Sequence, residues 1–402
     1  MFTIRNQETF LGISKRKSGL MELLNRLEYG QITLEMPNGV KRQFVGNSAG
    51  PNARISINSN RFFPRILLHG EIGFAEDYFE GVWDTPDLQA LLDLLVANSD
   101  QLRSGLRKTK IVGALESIRH RLRSNSKRQA RKNISYHYDL GNDFYSLWLD
   151  ETMTYSSGLF DPSGISLVDS QARKYDAVAN SIGANGDSNL LEIGCGWGGF
   201  AEHVAKTRGS KVTGLTISQE QYDFAKKRIF KAGLSEKVDI VLRDYRDEQG
   251  QYDGVASIEM FEAVGEEHWQ TYFDTVRNRL KPQAKATIQT ITIADDRFEK
   301  YRNQVDFIQK YIFPGGMLPS PQVFTQQADL AGLSITENLA FGQDYSQTLR
   351  IWSDQFNAAW PSIQKFGFDD RFRRMWNYYL AACAASFRYE NTNVIQFTLT
   401  KN

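Results

Sequence analysis

The sequence predicts an α/β protein: a seven-stranded, doubly wound, Rossmann-like sheet preceded by a smaller N-terminal α+β domain. Three observations predict it. From about residue 185, short apolar runs alternate with helical patterns up to the C-terminus, as in a mostly parallel sheet covered by helices on both faces. The first of those runs empties into a glycine loop, Leu190-Leu-Glu-Ile-Gly-Cys-Gly-Trp-Gly198, which opens a helix at Phe200. Before residue 100 the pattern is different, with period-two strands and a single amphipathic helix.

In the N-terminal region, residues 32–39 (ITLEMPNG) and 53–59 (ARISINS) have strand-like alternation, with a Pro-Asn-Gly turn after the first. Farther on, Asp84 or Thr85 is the expected N-cap of a helix that has a proline in its first turn and runs to Val96. Residues 101–133 form a basic linker. Between Arg103 and Lys132 there are eleven Lys or Arg and one acid, Glu116, which leaves 37 basic and 46 acidic residues elsewhere, a net of −9. The catalytic region is expected over 134–402. Its strands are 189–195, 211–217, 238–244, 252–260, 286–293, 333–342 and 394–400, with a helix over 219–233 that ends on Gly233. A long insertion, about 294–332, carries the aromatic run 306–320 with its Pro-Gly-Gly turn. An insertion at that edge of a doubly wound sheet builds the substrate side of a site.

Composition excludes several classes. The chain has 402 residues, 41% of them apolar and 24% charged, with a net charge of +1, so the overall balance names no partner. Two cysteines, Cys195 and Cys383, are too few for a disulfide framework and lack zinc-site spacing; a reducing cytoplasm is expected, and no metal. The N-terminus lacks the basic-then-apolar pattern of a secretory signal, and no run approaches the ~20 apolar residues of a bilayer span. The basic segment suits anionic lipid headgroups. No nucleic-acid module accompanies it.

The glycine loop is the decisive motif. A lone G-x-G is weak, because dinucleotide enzymes share it, but Glu192-Ile-Gly-Cys-Gly-Trp-Gly198 lacks the third glycine spacing of the nicotinamide fingerprint. A nicotinamide enzyme places an acid at the end of the second strand; here Gly214-Leu-Thr-Ile-Ser-Gln-Glu-Gln221 offers the Thr216 hydroxyl and the Gln221 amide instead. The third strand ends in Arg243-Asp-Tyr-Arg246, an aromatic among polar groups suited to an adenine. Together these point to S-adenosylmethionine, with Glu192, Gly194, Cys195, Gly196, Trp197, Gly198, Thr216, Ile217, Gln221, Asp244, Tyr245 and Arg246 as the expected cofactor-binding residues.

At these residues the chain resembles the cyclopropane fatty acid synthases and the related mycolic acid methyltransferases. The likeness runs from about His137 to the C-terminus. It is dense at His137-Tyr-Asp-Leu-Gly-Asn-Asp143, Met153-Thr-Tyr-Ser-Ser157, Phe261-Glu-Ala-Val-Gly265, Tyr311-Ile-Phe-Pro-Gly-Gly-Met-Leu-Pro319, Asp344-Tyr345 and Tyr378-Tyr-Leu-Ala-Ala-Cys383. Glu80-Gly-Val-Trp83 resembles the N-terminal domain of the phospholipid-acting members. The resemblance implies that Tyr155 and Ser156 contact the cofactor. It implies a bicarbonate beside the reacting methyl, with Glu262 and Tyr345 matching two of its ligands and Ser157 standing where many members have Cys. It also implies a homodimer contact through the N-terminal domain, a peripheral station on the inner face of the membrane, and an active-site role proposed for Cys383, although nothing in the chemistry needs a thiolate and a buried structural cysteine is the plainer reading. The chain departs from the family at two points. The family's His falls at Gln289, and the usual Phe-Glu-His reads Phe261-Glu262-Ala263.

The implied reaction is methyl transfer to the double bond of an unsaturated acyl chain. A carbocation results, and an aromatic wall with nearby negative charge stabilises it. Phe261, Tyr311, Phe313 and Tyr345 are candidates for the wall, Gly315 and Gly316 for the substrate-side turn, and Glu262 for the anion. Proton loss from the new methyl closes a cyclopropane; loss from a chain carbon gives a methyl-branched alkene. Cyclopropane is the expected product, with the branched lipid as alternative because Gln289 carries no proton. A lipid-binding protein that has lost catalysis is the non-enzymatic alternative.

Overall fold

The computed structural model describes residues 19–103, 129 and 140–402. Nearly all of the basic segment 103–132, and His137 to Asp139, lie outside the described residues.

The N-terminal unit is a four-stranded sheet, β1 (Tyr29–Glu35), β2 (Lys41–Val45), β3 (Ser48–Ile57) and β4 (Trp83–Asp84), in the order β2-β1-β3-β4. Helix α1 (Phe62–Phe79) joins β3 to β4, and α2 (Leu88–Ala97) follows. The two expected strands are present, and β2 and β4 are additions too short or too polar to show alternation. The N-cap of α2 is Asp87, whose carboxylate accepts the Ala90 amide at 2.9 Å, rather than Asp84 or Thr85. Asp84 belongs to β4, paired with Ser56, so the helix starts only after Pro86, and that proline lies before the cap.

The larger unit contains all seven expected strands: β5 (Asn189–Ile193), β6 (Lys211–Thr216), β7 (Val238–Leu242), β8 (Tyr252–Ile258), β9 (Leu280–Ile293), β10 (Leu333–Ala340) and β11 (Thr392–Lys401), in the order β10-β11-β9-β8-β5-β6-β7. β5 to β9 pair in parallel; β11 runs antiparallel to β9 and β10. Helices α3 (Asn142–Ser146) and α4 (Leu167–Ser181) precede the sheet; α5 (Gly199–Thr207), α6 (Gln219–Lys231) and α7 (Trp269–Arg279) cross between strands. The insertion after β9 holds α8 (Asp295–Tyr301), α9 (Phe307–Tyr311) and α10 (Pro321–Leu330). A second helical excursion between β10 and β11, α11 (Gly342–Ile363) and α12 (Asp370–Arg388), breaks no strand pattern and so was not marked as an insertion by the sequence.

One apolar cluster runs from the N-terminal sheet through α1 and α2 into α3, α11 and α12. Trp83 is fully buried, stacks on Phe74 at 4.4 Å and donates its indole N–H to the Phe74 carbonyl at 2.8 Å. Arg374 of α12 lies 3.9 Å over the Tyr78 ring and donates to the carbonyls of Tyr78 and Trp83. The N-terminal sheet thus shares its core with the helical excursion that reaches over the catalytic sheet. Among the described residues no helix is long and apolar enough to cross a membrane.

Candidate active site

The chain leaves β5 toward β6 on one side of the sheet and leaves β8 toward β9 on the other. Between these two neighbours the carboxyl ends open a crevice, the usual ligand position in such sheets. The glycine loop after β5 lies on one side of it. Gly194, Gly196 and Gly198 all have positive φ, 82°, 52° and 82°, and a Cβ on Gly194 would come within 2.6 Å of Met260, so the loop presses on the end of β8. Glu192 is buried, and burial pushes its carboxyl up to about 8; Oε2 of that carboxylate lacks a partner. At the end of β6, the Thr216 hydroxyl donates to the side-chain amide oxygen of Gln221 at 2.9 Å. After β7, Asp244 accepts both the Nε and the Nη2 of Arg246, at 2.8 and 2.7 Å. These groups stand together at the carboxyl ends of β5, β6 and β7.

The other side of the crevice is built by β-register. Ile258 pairs with Gln289, and Gln289 with Gln396. Glu259 follows Ile258, and its amide donates to the Gln289 carbonyl at 2.8 Å. Its φ is +50°, a left-handed conformation that L residues adopt reluctantly. The carboxylate of Glu259 accepts the Ser157 amide at 2.9 Å and the Gln289 side-chain amide at 2.8 Å on one oxygen, and the Tyr345 hydroxyl at 2.6 Å on the other. Gln396 donates in turn to the Gln289 oxygen at 3.0 Å, which fixes the way the Gln289 amide points. Glu262, one turn on, accepts the amide of Ile291 at 2.5 Å and the Thr290 hydroxyl at 3.0 Å, while its other oxygen has no partner. Burial and the nearby Glu259 push Glu262 up to about 8. Beneath the loop that carries Ser156 lies fully buried Lys174. It donates to the Ser156 hydroxyl at 2.6 Å, and desolvation brings it down to about 7.

The structure thus gathers Ser157, Gln289, Tyr345 and Glu262, all expected from sequence, around Glu259, which was not expected. An acid just beyond an apolar strand, in the run Val255-Ala-Ser-Ile-Glu259, was the available signal. Lys174 gave none, since a lysine in a helix reads as solvated until the packing is known. Tyr155 meets Tyr379 hydroxyl to hydroxyl at 2.8 Å and lies 5.2 Å from the Trp352 ring, and Trp197 donates to Asn142 at 2.6 Å. Ser156 sits under the crevice, tied to Lys174.

Three expectations need correction. Phe261 is fully buried among Trp269, Tyr272, Phe273 and Phe324; it packs the sheet's core rather than a substrate wall, because the short 3-10 turn after β8 rolls it under the sheet. Tyr311 donates to Glu76 of α1 at 2.6 Å and packs edge-on against Phe79, so it joins the N-terminal unit to the insertion. Cys383 packs among the buried helices, and burial pushes its thiol up, away from a thiolate. Phe313 stands 6.2 Å from Tyr379, and the Gly315-Gly316 turn lies beside Glu262, whose carbonyl accepts the Met317 amide at 2.9 Å. Among the described residues no cluster of His, Cys, Asp or Glu could hold a metal ion.

The profile of the mycolic acid cyclopropane synthetase family matches residues 125–397. The chain belongs to that family. It is 38% identical over 349 residues to the tuberculostearic acid methyltransferase UfaA1 of Mycobacterium tuberculosis, a match covering 84% of this chain and 80% of the relative. It is 35% identical over 359 residues to the cyclopropane-fatty-acyl-phospholipid synthase of Escherichia coli, covering 88% and 89%. The solved structure of the mycolic acid cyclopropane synthase CmaA1, complexed with SAH and CTAB, superposes with a TM-score of 0.63 at 28% identity, over 67% of this chain and 98% of that one. The chain is therefore an S-adenosylmethionine-dependent methyltransferase of the cyclopropane-fatty-acyl-phospholipid synthase type.

Proposed function

We propose that the chain methylates the double bond of an unsaturated fatty acyl chain in a membrane phospholipid and completes the reaction to a cyclopropane. The extent of the likeness carries the acceptor class. The match to the phospholipid synthase spans 359 residues, more than residues 140–402 contain, so it takes in much of the N-terminal unit; a match to cyclopropane mycolic acid synthase 3 of Mycobacterium tuberculosis stops at 67% of the chain. S-adenosylmethionine supplies an electrophilic methyl group. In this reading the glycine loop Gly194 to Gly198 cradles its methionine portion, Tyr155 and Ser156 close over it, Thr216, Ile217 and Gln221 hold the ribose, and Asp244, Tyr245 and Arg246 flank the adenine. The rings of Tyr345, Tyr155 and Phe313 face the cation that forms on the acyl chain, with the Glu259 carboxylate beside it. The basic segment 103–132 draws the protein to anionic headgroups at the cytoplasmic face of the membrane.

A methyl-branched product is the second reading, and Gln289 favours it: an amide cannot carry a proton. Purified protein incubated with methyl-labelled S-adenosylmethionine and unsaturated phospholipid vesicles tests both. Label in cyclopropane protons on NMR is the expected result. Label in a methyl branch on a retained double bond would favour the second reading, and label absent from lipid while the cofactor still binds would refute the acceptor.

A further inference from the structure

The anion site of this enzyme is filled from within. The Tyr345 hydroxyl, the Gln289 side-chain amide and the Ser157 main-chain amide converge on one place, and what they meet there is the Glu259 carboxylate. A bicarbonate fits poorly: its would-be donors are already taken, and it would enter beside the Glu259 carboxylate that takes them. The backbone at Glu259 is held at φ +50°, so a conformation natural to glycine is imposed on a residue with a long acidic side chain. Gln396 orients Gln289 so that its N–H₂ faces the carboxylate. Every neighbouring feature serves to present an anion at this position.

We infer that Glu259 is the resident base of the reaction and occupies the place a free bicarbonate would otherwise take. The inference rests on the acceptor proposed above. As the carbon–sulfur bond breaks toward sulfur, the π electrons of the acyl double bond form the bond to the methyl carbon. A C–H bond of that methyl then breaks. Its electron pair closes the third ring bond at the cationic carbon, and the proton goes to a Glu259 oxygen; no oxidant or reductant is involved. The two carboxylates divide the labour. Burial pushes the Glu259 carboxyl up, toward the basicity a proton acceptor needs, while its three donors and the nearby Lys174 oppose that rise. Glu262, with one oxygen unpartnered and its carboxyl pushed up to about 8, holds the proton that a pair of buried acids keeps near neutrality.

The test has a binding arm and a turnover arm. In the first, ¹³C-bicarbonate is titrated against the full chain saturated with S-adenosylhomocysteine, and its NMR line width is followed. The wild type is expected to give no saturable broadening, and Glu259→Gly, which empties the position and suits the backbone, is expected to give it. Saturable binding to the wild type would overturn the inference. In the second, turnover is measured on unsaturated phospholipid vesicles in carbonate-free buffer. The wild type is expected to be indifferent to added bicarbonate. Glu259→Gln is expected to lose about 10² to 10⁴ in kcat with S-adenosylhomocysteine affinity within about threefold, and Glu259→Gly to recover activity with added formate or bicarbonate. A Glu259→Gln enzyme within about threefold of wild type, or a wild type dependent on bicarbonate, would overturn it. A wild type that labels no unsaturated phospholipid refutes the acceptor, and the binding arm still decides whether Glu259 fills the anion position.

Discussion

Gln289 is held at both ends of its amide, donating to Glu259 and accepting from Gln396, and that arrangement explains how a residue without a proton to give can stand where the family has a histidine. Its task is to orient and satisfy a carboxylate that the protein itself supplies. Tyr345 does the same from the other side. A hydrogen bond to a charged group is worth roughly 1.5–3 kcal/mol, about ten- to hundredfold in rate. Tyr345→Phe should therefore lower kcat by about that factor while S-adenosylhomocysteine affinity, read by calorimetry, stays within about threefold; a loss in affinity instead would place Tyr345 in the cofactor pocket. Of these residues, Gln289, Tyr345, Glu262 and Ser157 were legible in the sequence through motif resemblance. Glu259 was not, because its importance lies in three partners that are 30, 86 and 102 positions away along the chain.

At the scale of single elements, the last turn of α1 carries an unusual acid. Asp77 is fully buried, with Arg65 3.0 Å away but neither oxygen properly hydrogen-bonded. Burial outweighs the attraction of Arg65 and Arg61 and pushes the carboxyl up to about 6. The folded chain therefore binds this proton more tightly than the unfolded chain does. The stability it contributes is fully present below the unfolded value near 3.8 and is lost as pH rises through about 6. Asp77→Asn should be more stable to urea than wild type at pH 7.5, by about 3 kcal/mol, with the gain fading between pH 6 and pH 4. A gain constant over that range would show that Asp77 is not titrating there. The boundaries of α2 teach a related lesson: three candidate caps lie within four residues, and pairing of Asp84 into β4 selects Asp87.

For the whole molecule, the apolar cluster that the N-terminal sheet shares with α11 and α12 joins that sheet to the helical excursion between β10 and β11, and the two are expected to unfold together. Trp83 is a direct probe of this, since its backbone carbonyl and its neighbour Tyr78 are both gripped by Arg374. Trp83→Ala should cost about 3–5 kcal/mol, and its unfolding should remain a single transition by both circular dichroism and loss of S-adenosylhomocysteine binding. Two separated transitions would mean that the N-terminal unit folds as an independent body. The ion pair from Lys310 and the hydrogen bond from Tyr311 to Glu76 tie the insertion after β9 to the same unit, so the N-terminal unit is joined to the segment bordering Glu262.

The sequence by itself determined the seven strands, the glycine loop and the polar groups at the ends of β6 and β7, because alternation, turn chemistry and strand-end motifs are local and survive without tertiary context. The tertiary structure alone decided which polar groups meet. Strand register placed Glu259 against Gln289 and Gln396, burial turned Lys174 from a helix-surface residue into a support beneath Ser156, and packing moved Phe261 and Tyr311 from the expected substrate wall into the core and the junction between units. Those outcomes depend on contacts between residues far apart in the chain, and no window of sequence contains them.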